Sequence, residues 1–123
     1  MKGLELLETY PKAGKIVNKW FLDKMIASLN NDAIPDEFKE YISNQPIENE
    51  NISVMIDNNP RVLFDVFDEN DIYVEILVDY KSNSAKFSYT VINNEMYSNP
   101  ITYSSRRHAE LAAVEQAFKL LDL

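Results

Sequence analysis

The stretch Ile72–Leu121, IYVEILVDYKSNSAKFSYTVINNEMYSNPITYSSRRHAELAAVEQAFKLL, decides the fold. From Ile72 the residues Ile72, Val74, Ile76 and Val78 alternate with Tyr73, Glu75, Leu77 and Asp79, the period of a half-buried strand. Lys81-Ser82-Asn83 reads as a turn. Ala85 to Ile92 follows as a second strand with Phe87, Tyr89 and Val91 on one face, and Asn93-Asn94 turns the chain into a third strand reaching Tyr103. Pro100 has no amide to give a ladder, so the third strand is expected at an edge. Ser104 or Ser105 then caps a helix in which Ala109, Ala112, Ala113, Val114, Ala117, Phe118, Leu120 and Leu121 make one buried side. Its small alanines let that helix lie close to the sheet.

Upstream of this unit the period is helical. Asn58-Asn59-Pro60 is a break, and Val62 to Phe67 after it fits either a buried strand or a short helix. Asn59 as N-cap, Pro60 at the first helical position and the spacing of Leu63, Phe64 and Phe67 favour the helix. From Pro11 to Leu29, Ile16, Val17, Trp20, Phe21, Leu22, Met25, Ile26 and Leu29 recur at three- and four-residue spacings, giving one helix with a wide apolar stripe. Leu4, Leu6, Leu7 and Tyr10 predict a helical turn before it. Pro35 suits the first turn of a second helix with Phe38, Tyr41 and Ile42 on one side, and Ile52, Met55 and Ile56 carry a weaker third pattern.

The expected architecture is a single α+β domain over residues 1–123. It is helical over 3–58, with a short segment at 60–67, strands at about 71–80, 84–92 and 96–103 in an antiparallel meander, and a helix at 105–121 packed on the sheet. A chain of 123 residues, 46% of them hydrophobic, buries enough surface for a core without staples.

Composition closes several routes to function. No cysteine is present, so disulfides, thiolate metal sites, cysteine nucleophiles and iron–sulfur clusters are excluded. Gly3 and Gly14 are the only glycines and neither lies in a phosphate-cradling GxGxxG or GxxxxGK[ST] pattern. No signal-peptide stretch and no run of about 20 apolar residues occurs, which predicts a cytoplasmic protein. No cofactor is expected.

The net charge is −8, and residues 35–79, with twelve acids against Lys39 and Arg61, more than account for it, the flanking segments being slightly positive. Such a field repels nucleic-acid phosphates and attracts basic partners. Asp36, Glu37 and Glu40, then Asp65, Asp68, Glu69 and Asp71, are the candidate partner-facing carboxylates. The ordinary alternative is a solubilising acidic surface.

Catalytic constellations are weak. His108 is the only imidazole, stands beside Arg106 and Arg107, and has no triad partner identifiable by spacing; no GxSxG occurs. Asp68-Glu69-Asn70-Asp71 lacks the spacing of a calcium loop. Asp79-Tyr80-Lys81 has the (D/E)xK form that metal-dependent nucleases place on a strand, but no basic channel accompanies it. Lys12, Lys15 and Lys19 form a basic helix face, the ordinary solvated side of an amphipathic helix.

The segment SSRRHAELAAVEQAFKLL resembles the second helix of double-stranded RNA-binding domains, where basic residues at the helix start grip phosphate and an alanine-rich face packs on three antiparallel strands. That likeness makes Arg106 and Arg107 candidate anion contacts. The chain departs from the pattern in having only these two basic residues there, an intervening helical segment and an acidic total. Over nearly its full length, with LLETYPKA, KWFLDKMIASL, PDEFKEYI, NPRVLFDVFDENDIYVEI and SRRHAELAAVEQAFKLL in order, the sequence also resembles a group of small phage- and prophage-encoded proteins of gut anaerobic bacteria. That group has no established activity to carry over, and the resemblance implies a bacterial cytoplasm as the setting.

The functional expectation is a non-catalytic protein-binding or inhibitory module that meets a host or phage protein, the acidic surface favouring a basic one. A structural or assembly homo-oligomer using the edge near Tyr97 to Tyr103 is the alternative, and a metal-dependent nuclease or a degenerate double-stranded-RNA-binding module stands further off.

Overall fold

The computed structural model describes residues 2–28, 34–98 and 101–123. Among the described residues six α-helices, one short 3-10 helix and a three-stranded antiparallel sheet make an α+β architecture. The helical half holds α1 (Gly3–Thr9), α2 (Pro11–Ser28), α3 (Asp36–Ser43) and α4 (Asn49–Asn58). A 3-10 turn at Pro60–Leu63 runs directly into α5 (Phe64–Glu69), so the ambiguous segment is helical, with Asn59 at the N-cap position and Pro60 at its start. Leu29, expected to close the stripe of α2, and Pro100, expected to mark an edge, lie outside the described residues.

Both glycines serve helix contacts. A Cβ on Gly14 would stand 3.0 Å from the Leu7 carbonyl oxygen, and one on Gly3 would stand 3.0 Å from that of Ser53, so any side chain would push α1 away from α2 or α4. The left-handed turn positions fall instead to Asp71, Ser82, Asn83 and Asn94, at φ of 59°, 53°, 62° and 63°. Asn and Asp tolerate this region; serine there carries strain.

The sheet order is β1 (Tyr73–Lys81), β2 (Ser84–Asn93), β3 (Glu95–Ser98), each pair antiparallel. Ser82 and Asn83, both at positive φ, make the two-residue hairpin loop between Lys81 and Ser84. Because Lys81 and Ser84 close that loop, the antiparallel alternation turns the backbone groups of Tyr73, Glu75, Leu77, Asp79 and Lys81 toward β2 and those of Val74, Ile76, Val78 and Tyr80 away from it. The other side of β2 agrees. Phe87, opposite Val78, exchanges both its backbone hydrogen bonds with Tyr103, at 2.9 and 2.7 Å.

Of the third strand's expected span of 96–103, residues 99 and 100 lie outside the described residues; Glu95–Ser98 pairs with β2, and Tyr103 makes an isolated bridge to Phe87, two residues out of the register that pairs Thr90 with Ser98. A continuous ladder cannot absorb that offset.

α6 (Arg106–Leu121) lies across the inner sheet face, contacting β2 most heavily. Ser105 caps it, accepting a hydrogen bond from the His108 amide at 3.2 Å. Phe118, fully buried, meets Phe67 edge-on at 6.1 Å between ring centroids and Tyr10 at 6.5 Å, which joins the helical half to the sheet half. Leu6, Val17, Ile52, Ile56, Leu63, Ile72, Val91 and Val114 complete one core.

Phe38 and Tyr41 are exposed, at 52% and 63%, on α3, which among the described residues rests chiefly on α2. Packing corrects the half-buried strand expected from Ile72 onward. The inner face of β1 is half-buried only over its first part, Ile72 to Ile76; Val78 and Tyr80 are 50% and 66% exposed as the hairpin runs past its helical cover. Among the described residues no helix is long and apolar enough to cross a membrane.

Candidate functional site

The carboxylates proposed as partner-facing fall into two sets on different elements. Asp36, Glu37 and Glu40 are exposed on α3, which packs on α2. Asp65, Asp68 and Glu69 are exposed on α5, and Asp71 follows in the left-handed turn that leads into β1. The helix end at Asn70 is closed by its side chain, which donates to the Val66 carbonyl at 2.7 Å, and by the Ile72 amide bonding to Phe67. This tight closure holds Asp68 and Asp71 near the start of the strand.

Tyr73 reports the resulting field. Its hydroxyl donates to Asp71 Oδ1 at 3.3 Å, and the negative charge of Asp71, assisted by slight desolvation, that hydrogen bond and the charge of Asp68, raises the phenol pKa above 10.0. A proton is held more tightly where nearby charge is negative. The same field draws in any other cation.

Farther along β1, Glu75 and Asp79 face outward with Tyr73 and Leu77. Asp79-Tyr80-Lys81 does not form a metal site: Lys81 Nζ and Asp79 Oδ2 stand 3.6 Å apart, both well exposed, as a solvated ion pair. Among the described residues no three His, Asp or Glu side chains converge as a metal cluster.

The arginines proposed as anion contacts are engaged within the chain. Arg106 lies over the Phe87 ring, 5.4 Å from its centroid, and Arg107 donates to the Asp57 carbonyl at the end of α4. A third cation, Arg61, donates through Nε to Glu110 Oε1 at 2.6 Å, with the Glu110 side chain only 6% exposed. One turn into α6, Glu110 is thus buried and held by Arg61. His108 is exposed, and its backbone amide donates to Ser105 Oγ.

Lys12, Lys15 and Lys19 are exposed on α2, and Lys19 pairs with Asp23 at 3.0 Å. Lys15 and Lys19 border an open cleft of about 490 Å³ whose apolar wall is Leu7, Pro11, Leu22 and Pro46. Its far side is held by Asn18, which donates to the Ile47 carbonyl at 2.6 Å and accepts from the Ile47 amide at 3.1 Å.

Two features were not visible in the sequence. The first is the pairing of Arg61 with Glu110 across 49 positions, for which spacing gives no signal. The second is how bare the outer edge of β1 is: the expected meander puts β1 at the end of the sheet, but that no backbone hydrogen bond reaches that edge among the described residues follows from tertiary structure alone. Comparison with protein-family models, with curated proteins and with solved structures finds no match.

Proposed function

We propose that the chain is a non-catalytic protein-binding module, working in a bacterial cytoplasm, that meets a basic partner through the carboxylates of α5 and the turn after it. The observation that carries this reading is the group Asp65, Asp68, Glu69 and Asp71, all exposed on one short helix and its turn, with Asp68 and Asp71 acting together on Tyr73. Exposed charge of one sign accelerates encounter with an oppositely charged partner and weakens with salt. The internal use of Arg106 and Arg107 and the buried Glu110 count against nucleic acid as that partner.

The test is capture on the immobilised full-length chain from a bacterial lysate, eluted with a sodium chloride gradient. A basic protein released at moderate salt is expected. The fourfold variant Asp65→Asn, Asp68→Asn, Glu69→Gln, Asp71→Asn should lose most of that capture. Retention that ignores both salt and the fourfold variant would overturn the reading.

A further inference from the structure

We propose that the free edge of β1 accepts an extended basic segment of a partner protein as a fourth strand. This rests on the protein-binding reading and names the surface and the chemistry of what it binds.

The backbone supplies the first argument. All nine residues of β1 pair in unbroken register with β2, with no proline, glycine or bulge. The outward groups of Val74, Ile76, Val78 and Tyr80 therefore present a regular row of donors and acceptors. Among the described residues no backbone hydrogen bond is made to that outer edge. A row of this kind is a template for strand addition, in which main-chain bonds give affinity and alternate side chains give specificity.

The two faces beside the edge supply the occupant. On the inner face Val78 and Tyr80 are exposed, so a fourth strand places apolar side chains against them. On the outer face Glu75 and Asp79 stand four residues apart, with Asp71 and Asp68 at the strand's start. A strand alternating apolar with Lys or Arg satisfies both faces at once, since residues of one face recur at every second position. Lys81 takes part of the charge of Asp79 in an exposed pair and leaves Glu75 and Asp71 to the partner.

The same charges disfavour a second copy. Antiparallel self-pairing centred on Leu77 sets Glu75 opposite Asp79 of the other chain, a repulsive cross-strand pair. Centring on Ile76, or on Val78, which sets Glu75 opposite Lys81, avoids that pair but still joins two chains of net charge −8.

The experiment is fluorescence anisotropy with a labelled seven-residue peptide alternating lysine and valine. The same peptide N-methylated along one edge and a glutamate–valine counterpart serve as comparisons. The full chain should bind the lysine peptide, weaken at least about tenfold from low to high salt, and bind neither comparison peptide. Val78→Pro removes one outward amide while leaving the bonds to β2, and should weaken binding at least about tenfold; Val78→Thr should keep it. Far-UV circular dichroism checks that the proline variant folds, and the N-methylated peptide gives the same information with the native chain.

Equal binding of the N-methylated or glutamate peptide, or no binding of the lysine peptide at millimolar concentration, overturns the proposal. So does a dimer, seen by light scattering, that Val78→Pro dissolves, because the edge would then belong to a second copy. Salt-eluted lysate capture that survives Val78→Pro overturns the edge while leaving the binding-module reading in place. Peptide binding at the edge with no salt-dependent capture from lysate overturns that broader reading.

Discussion

The two edges of the sheet are opposites. β1 is nine residues long, pairs without interruption and stands exposed along most of its length. β3 is four residues long, and among the described residues beyond it Tyr103 bridges to Phe87 of β2, out of register. On the sequence, both outer strands of the expected meander are edges; the third is marked by its proline, and the first reads as half-buried from its alternation. The comparison teaches that exposure at an edge is set by what lies under and beside a strand rather than by its own pattern. Beneath β1 the helices reach only as far as Ile76.

The largest perturbation should not distinguish the edges at all. Phe118 is fully buried between Phe67 and Tyr10 beneath the sheet, so Phe118→Ala should destabilise the whole chain by roughly 3–5 kcal/mol, read by urea unfolding. A loss confined to one edge, seen as hydrogen exchange accelerating in β1 or β3 alone, would show that the core is not shared.

A sharper cut compares neighbours on β1. Leu77 turns its amide toward β2 and Val78 turns its own outward. Leu77→Pro should therefore lower stability by roughly 1–3 kcal/mol, the scale of a lost ladder bond with its partner left unpaired, whereas Val78→Pro should lower it much less. Equal losses in thermal unfolding would mean that the alternation is assigned the wrong way round.

The tyrosines separate the edges electrostatically. Tyr73, on β1, has its pKa raised above 10.0 chiefly by the charge of Asp71, whereas Tyr103, at the broken edge, has its own raised chiefly by burial, with Tyr89 and Glu115 adding to it. Ultraviolet titration should find salt lowering the first and sparing the second, because screening acts on exposed charge. Asp71→Asn should lower Tyr73 alone. In both cases the folded chain holds a proton that the unfolded chain releases near pH 10.0. These contributions to stability are thus whole below that pH and diminish as pH rises through the folded values.

The smallest expected effect concerns the loop that makes β1 long. Ser82 sits at φ 53°, so Ser82→Gly should stabilise the β1–β2 hairpin by roughly 0.5–1 kcal/mol in thermal unfolding, without changing exchange in β3.

Local signals made much of this legible. The alternation from Ile72, the alanine face of α6, the Ser105 cap and the Asn59-Pro60 start are interactions among near neighbours, and each appears in the structure where its residues predict it. Long-range matters were hidden. Neither the exposure of Phe38 and Tyr41 nor the partner of Arg61 depends on neighbouring residues. The acids were legible as a count and a segment, but that α3 and α5 pack on different neighbours depends on tertiary contacts. The contacts of Arg106 and Arg107 were hidden for the same reason, the Phe87 ring and the Asp57 carbonyl lying 19 and 50 positions away.

The start of α2 carries one more consequence. Its Lys12 and Ala13 amides donate to Asp122 Oδ1, at 2.8 and 3.1 Å, so the first turn of the longest helix is capped by a residue 110 positions downstream of Lys12. On a ribosome, α2 must wait with its amides open to water until the sheet and α6 have been synthesised. Domains take shape as the chain emerges, N-terminal part first. Here the two bonds that close the start of α2 form only after Asp122 has been synthesised.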